Sequence, residues 1–225
     1  MLGIICECGY EFNLASVPVD NKVICEKCKS ERVLNPIEMR NIAEVFYLNR
    51  EYNISAKWLL KSAHAGYARA QSNLGVCYAN GEGVPQNIKK AIVWYRKAAK
   101  QGYAISQTKL GVCYETGNGV LKDFKKAVYW YKQAAKRGNA WAQNNLGLCY
   151  LNGRGVPVNF SKAVKLFELA SEQGNYFGQF NLALCYFDKN SKIYDEIKAI
   201  GLMQVAANNG NNEAGHWLKN KGYKI

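Results

Sequence analysis

The clearest chemical signal in the chain is a set of two close cysteine pairs, Cys6-x-Cys8 and, after sixteen intervening residues, Cys25-x-x-Cys28. Paired thiolates on two tight knuckles, joined by a loop that lets the knuckles face one another, are how a small β-ribbon holds zinc tetrahedrally. Four sulfur ligands fill the coordination sphere and leave no position for water or substrate, so the metal expected at Cys6, Cys8, Cys25 and Cys28 is one structural Zn2+. Gly9 relaxes the backbone behind the first knuckle. Short strands are expected at Ile4-Ile5, Tyr10–Phe12, Val17–Val19, Val23-Ile24 and Arg32–Leu34, with a polar turn at Asp20-Asn21. A segment of 35 residues buries too little surface to fold unaided, and metal would supply the difference. The first pair has a one-residue gap instead of the commoner two, which leaves reduced thiols or a redox pair as the alternatives.

The two histidines, His64 and His216, have no carboxylate or cysteine partner nearby in sequence. The Gly-x-Gly stretches lack both the preceding strand and the Lys-Ser/Thr of a nucleotide loop. Neither Gly-x-Ser-x-Gly nor His-Glu-x-x-His occurs. No catalytic activity is expected.

Eight cysteines without a recognisable secretion signal argue for a reducing compartment. No apolar run is long enough to span a membrane. The expectation is a cytoplasmic protein, or a secreted effector lacking a cleavable signal. The net charge of +13 is carried outside residues 1–35, which hold five acidic and four basic side chains. A basic surface favours nucleic acid, anionic lipid or an acidic partner. The ribbon itself lacks a basic face.

These features must be positioned by a scaffold, and the scaffold is a repeat. Leu74, Leu110, Leu146, Leu182 and Leu218 recur every 36 residues, as do Gly102, Gly138, Gly174 and Gly210. A fixed period of this length is the mark of a solenoid. Each unit reads as two helices broken at Gly81-Glu82-Gly83-Val84, Gly117-Asn118-Gly119-Val120 and Gly153-Arg154-Gly155-Val156, where paired glycines supply positive φ. Asn87, Asp123, Asn159 and Asp195 are expected as N-caps of the second helices. The terminal glycines are expected as left-handed C-caps. Gly75 beside Leu74 allows close helix approach. Cys77, Cys113, Cys149 and Cys185 keep the same period and read as buried packing residues, because equivalent helices sit about 8–10 Å apart, too far for disulfides.

The run Ala70-x-x-x-Leu74-Gly75-x-x-Tyr78-x-x-Gly81-x-Gly83-Val84, followed by Lys90-Ala91-x-x-Trp94-x-x-Lys97-Ala98-Ala99-x-x-Gly102, resembles the Sel1-like repeat. That family belongs to the tetratricopeptide-type α-solenoids. The resemblance covers 67–174 closely and 175–210 more loosely, since Ala183 replaces the glycine and the Gly-x-Gly-Val loop is missing. It implies a mainly α, right-handed α-solenoid of helical hairpins behind the zinc ribbon (residues 1–35). The expected parts are a tetratricopeptide-like opening hairpin at 36–66, full units at 67–102, 103–138, 139–174 and 175–210, and a capping helix in 211–225. Relatives of this kind generally act as adaptors or scaffolds without catalysis.

A partner surface follows from the helical wheel. Positions −5, −2, +2 and +5 from each repeated leucine fall within about 80° of arc on the opposite side of the first helix. That face reads Arg69, Ser72, Val76, Ala79; then Ile105, Thr108, Val112, Glu115; then Trp141, Asn144, Leu148, Leu151; and last Phe177, Phe180, Leu184, Phe187. It drifts from polar to almost wholly apolar, which marks a groove for a helix or extended peptide of another protein. Cover by the 188–196 loop or the C-terminal tail, and self-association, are the competing explanations. A carboxylate clamp is not supported, since the slots hold Ser, Thr, Val and Leu. Lys90, Lys126, Lys162 and Lys198 form a ladder that reads as the solvated edge of the array. The leading function is therefore a non-enzymatic protein adaptor. The alternative is a nucleic-acid-associated or inhibitory, immunity-type regulator using the ribbon and the basic surface; nucleic acid is not favoured.

Overall fold

The computed structural model describes residues 21–25 and 27–223. Cys6, Cys8 and the strands expected over 4–19 therefore lie outside the described residues. A two-stranded antiparallel hairpin, β1 (Lys22–Ile24) and β2 (Glu31–Val33), is followed by helices α1 (Pro36–Leu48), α2 (Tyr52–His64), α3 (Ala68–Asn80), α4 (Ile88–Lys100), α5 (Ala104–Thr116), α6 (Phe124–Lys136), α7 (Ala140–Asn152), α8 (Phe160–Glu172), α9 (Tyr176–Phe187), α10 (Glu196–Asn208) and α11 (Asn212–Asn220). The result is a mainly α repeat of helical hairpins. Its contacts divide the chain into two compact units, Met1–Ser106 and Gln107–Ile225.

In the first unit, β1 and β2 pair with Lys22 opposite Val33 and Ile24 opposite Glu31. Val23, Cys25 and Leu34 from this hairpin join Met39, Ile42, Trp58 and Leu74 in one core. The strands lie within a residue of the expected Val23-Ile24 and Arg32–Leu34. Helix α1 starts where Asn35 accepts from the Ile37 and Glu38 amides while Glu38 accepts from the Asn35 amide, a complete capping box ahead of Pro36. The turn between α1 and α2 is short: Arg50 takes a left-handed φ of 65° and α2 has begun by Tyr52.

The four expected N-caps all form. Asn87, Asp123, Asn159 and Asp195 accept from the amides of Lys90, Lys126, Lys162 and Lys198 at 2.9, 2.9, 2.9 and 3.0 Å. Gly102, Gly138, Gly174 and Gly210 all lie at positive φ, between 75° and 96°, just past the second helices.

The glycine on the first helix has a specific physical reason. A Cβ on Gly75 would lie 2.5 Å from Tyr95 Cε1, one on Gly111 2.3 Å from Tyr131 Cε1, and one on Gly147 2.5 Å from Phe167 Cε1. An aromatic ring of the second helix thus rests directly on the backbone of the first. In the second unit, Tyr131 is fully buried and donates to Glu115 Oε2 at 2.6 Å. Burial, followed by the Glu115 carboxylate, pushes its phenol well above the ordinary range.

Candidate protein-interaction surface

The expected partner face divides on inspection into exposed and internal positions. In the first unit, Arg69 is exposed and Ile105 is 46% exposed. In the second, Val112 is 40%, Trp141 46% and Leu184 39% exposed. Trp141 opens α7, and Tyr176 and Phe177 open α9. Their rings form a cluster: Trp141 to Tyr176 is 5.8 Å, Trp141 to Phe177 5.4 Å and Tyr176 to Phe177 4.5 Å between centroids. Edge and tilted contacts of this kind are the favoured aromatic geometries. Tyr176 is an addition that the wheel missed, because it precedes the −5 position by one residue.

Several expected groove residues are instead structural. Asn144 is 3% exposed, and its Oδ1 accepts from Asn181 Nδ2 at 2.7 Å. Ser72 and Thr108, at the same slot, are also buried, and Thr108 donates to Asn139 at 3.0 Å. The wheel treats each helix as isolated, whereas in the second unit Asn139 and Asn181 of the following hairpin reach this slot at Thr108 and Asn144. Phe180 packs on the core of Ala183, Met203 and Leu218, and Leu148 and Leu151 pack on the core around Phe167 and Leu182. Phe187 lies edge-on to Trp217 of α11 at 4.7 Å, with Lys221 Nζ 5.7 Å from its ring centroid. The C-terminal helix covers it. The 188–196 loop turns elsewhere, with Ile193 packing on the Phe167 core.

The lysine ladder has a structural role in every unit. Lys90, Lys126, Lys162 and Lys198 each lie over a tyrosine of the preceding helix, Tyr78, Tyr114, Tyr150 and Tyr186, at 5.5, 5.6, 5.4 and 5.6 Å. Lys126 and Lys198 also pair with Asp123 and Asp195. The cap hydrogen bonds from Lys126 and Lys198 hold those two carboxyls below the ordinary range.

Among the described residues, no group of three or more His, Cys, Asp and Glu is gathered as a metal site, and no helix is long and apolar enough to cross a membrane. His64 packs against the Trp94 ring at 5.3 Å. Cys77, Cys113, Cys149 and Cys185 are buried free thiols, as expected. Burial first raises their pKa values, to about 11, 12 and 11 for Cys77, Cys149 and Cys185. Cys113 is raised for the same reason. None is an activated nucleophile.

Periodic hairpins with these caps, glycines and buried leucines match the Sel1 repeat family over residues 46–67, 68–103, 104–139, 142–175 and 177–211. The chain belongs to the Sel1 repeat family. Among solved structures it is similar to a Sel1 repeat protein from Oxalobacter formigenes, with 34% identity, a TM-score of 0.76, and coverage of 80% of this chain and 75% of that one. It is also similar to a protective antigen of uropathogenic Escherichia coli with an SLR fold, at 29% identity and a TM-score of 0.71. That match covers 81% of this chain but only 40% of the antigen. An immunity protein of Pseudomonas aeruginosa, at 19% identity and a TM-score of 0.56, shares the fold, with 82% of this chain and 73% of that one covered. No curated protein matches. The first Sel1 match begins inside α1, so the family pattern reaches into the opening hairpin.

One further periodic feature of the Sel1 hairpins escaped sequence reading. Gln71, Gln143 and Gln179 accept from Gln101, Gln173 and Asn209 at 2.8, 2.7 and 3.0 Å, a polar clasp from α3, α7 and α9 to the ends of α4, α8 and α10. The recurrence of glutamine every 36 residues, also at Gln107, was the available signal.

Proposed function

We propose that this chain is a non-enzymatic protein-interaction scaffold that holds an apolar helix or extended segment of a partner protein against Trp141, Tyr176 and Phe177. Sel1-type repeats are typically interaction scaffolds, and here the supporting observation is the cluster of three aromatic rings around a half-exposed Trp141. Rigid aromatic anchors of this type dominate interface energies. Leu184 and Val112 are further exposed apolar side chains at the +2 position of their own helices. The test is affinity purification of the chain and of a Trp141→Ala/Phe177→Ala variant from the native cell. The partner should be lost from the variant while its thermal melting stays close to that of the parent. Retention of the same partners at the same yield refutes the reading.

A structural Zn2+ at Cys6, Cys8, Cys25 and Cys28 is the second part of the proposal. The described half of that set has the form of a knuckle. The Cys28 amide donates to Cys25 Sγ at 3.4 Å, the Cys25 amide to the Ser30 carbonyl at 2.9 Å, and the Lys29 amide to the Cys25 carbonyl at 2.8 Å. Lys29 takes a left-handed φ of 61° to close the turn. Amides directed at sulfur stabilise a thiolate. Metal analysis should find about one zinc per chain, with Cys25→Ser losing it and leaving the helical signal intact. Purified protein without zinc at full helical content refutes it.

A further inference from the structure

In the second unit α6, α7 and α8 border an open groove of about 410 Å³. Leu146 and Tyr150 of α7 and Leu166 and Leu169 of α8 give it apolar walls, and Leu169 is 39% exposed. In the first unit the equivalent slot is filled from within the chain. There Trp94 of α4 is buried, packs in one core with Ala63, Ala70 and Leu74, and lies edge-on to His64 at 5.3 Å. Two periods on, Ala63, His64, Ala70 and Leu74 become Ala135, Lys136, Ala142 and Leu146, and the tryptophan becomes Leu166. Lys97, whose Nζ lies 4.3 Å from the Trp94 ring centroid, becomes Leu169. The intervening unit keeps a tryptophan at 130. A leucine in place of an indole leaves the slot short of one aromatic ring.

The groove is also cationic. Lys132 and Lys136, one turn apart on α6, and Lys162 and Lys165 on α8 line it, and no acidic residue does. Lys132 and Lys162 hold their ammonium groups 5.9 and 5.4 Å from the centroid of the Tyr150 ring. Where α6 and α10 are capped by Asp123 and Asp195, the ladder lysine pairs with its cap; α8 is capped by Asn159, which leaves Lys162 without that counter-charge. The charge is local to this slot. One period on, the four lysine positions read Glu168, Glu172, Lys198 and Gly201, and two periods back they read Leu60, His64, Lys90 and Val93. A ring-sized apolar slot rimmed by four cations selects a large aromatic anchor flanked by carboxylates. Resting on the scaffold reading only for the ligand being a polypeptide, we propose that this groove takes an aromatic side chain from an acidic segment of a partner protein. The ring occupies the place that Trp94 fills in the first unit, and the neighbouring carboxylates lie on Lys132, Lys136, Lys162 and Lys165. Trp141, Tyr176 and Phe177 are not part of its lining, so it is a second contact surface.

The test follows the Leu166 and Leu169 methyl resonances by NMR during titration with the peptide acetyl-Glu-Glu-Trp-Glu-Glu-amide. Saturable shifts with half-saturation at about 0.1–1 mM are expected of so short a probe. Replacing its tryptophan by alanine, or its glutamates by glutamine, should each weaken binding about tenfold or more. Leu166→Trp, which restores the residue carried at 94 and 130, should fill the groove and abolish binding, read at Leu169. Lys136→Glu/Lys165→Glu, at two exposed sites, should weaken binding about tenfold. No saturable shift, equal binding of either control peptide, or full binding by either variant overturns the proposal. So does a stronger response to vesicles of equimolar phosphatidylcholine and phosphatidylserine that Leu166→Trp abolishes, which would make the groove a lipid site. Trp141→Ala/Phe177→Ala should leave the titration unchanged, so its failure and that of the aromatic-patch reading are separate results.

Discussion

Two ways of packing a hairpin coexist in this chain. In α3–α4, α5–α6 and α7–α8 a glycine lies under the ring of Tyr95, Tyr131 or Phe167, with no room for a methyl group. In α9–α10 the same two positions are Ala183 and Met203, both fully buried in one core. In α1–α2 the alanine and aliphatic pair is Ala43 and Leu59. A planar ring must lie flat on the opposing backbone, whereas a flexible chain can bend around a methyl. The loss of glycine at Ala183 is therefore matched by the loss of the ring 20 residues later. The same hairpin also drops the Gly-x-Gly-Val loop. Where that loop exists it is confined: a Cβ on Gly155 would lie 2.4 Å from the Phe124 carbonyl oxygen, at a φ of 71°.

The largest effect should come from that loop. Gly155→Ala combines a left-handed φ with backbone overlap and should cost about 3 kcal/mol or more. By contrast Asn190→Ala in the irregular loop, an exposed site, should change stability by less than about 0.5 kcal/mol. Urea melts of both test the contrast. Next, Gly111→Ala should cost about 1–3 kcal/mol by overpacking against Tyr131. Adding Tyr131→Met, the pairing found at Ala183 and Met203, should recover part of that loss. A double-mutant cycle should give a favourable coupling of about 1 kcal/mol, and strict additivity would remove the pairing rule. Asn159→Ala, which deletes the α8 cap, should cost about 1 kcal/mol. The smallest and broadest effect is on pH. Folding raises the thiol pKa values of Cys77, Cys113, Cys149 and Cys185, so the folded state keeps protons that the unfolded chain releases. This contribution is intact below the unfolded value near 9.0 and is lost as pH rises toward about 11–12. Denaturant midpoints should fall from about pH 8 to about pH 11, and Cys149→Ala should flatten the fall.

The repeat and its caps were legible in the sequence because stacking demands the same residue at the same place in each unit. Asn87, Asp123, Asn159 and Asp195 announce helix starts by type and spacing alone. The partner face was less legible. Its wheel ignored the neighbouring hairpin, so Asn144 and Phe180 looked exposed and are packed. Phe187 needed the position of Trp217 to be understood, a contact between residues 30 apart. The lysine ladder looked like free charge until the equally periodic tyrosines beneath it were in view.

The scaffold reading is tested most directly by placing a photo-crosslinking amino acid at position 141 in the native cell, with a control at Leu121, which is 91% exposed on a loop of the same unit. Position 141 should capture one partner through an apolar helical or extended segment, and position 121 should not. Equal labelling of the same proteins from both positions, or no partner from position 141, would contradict it.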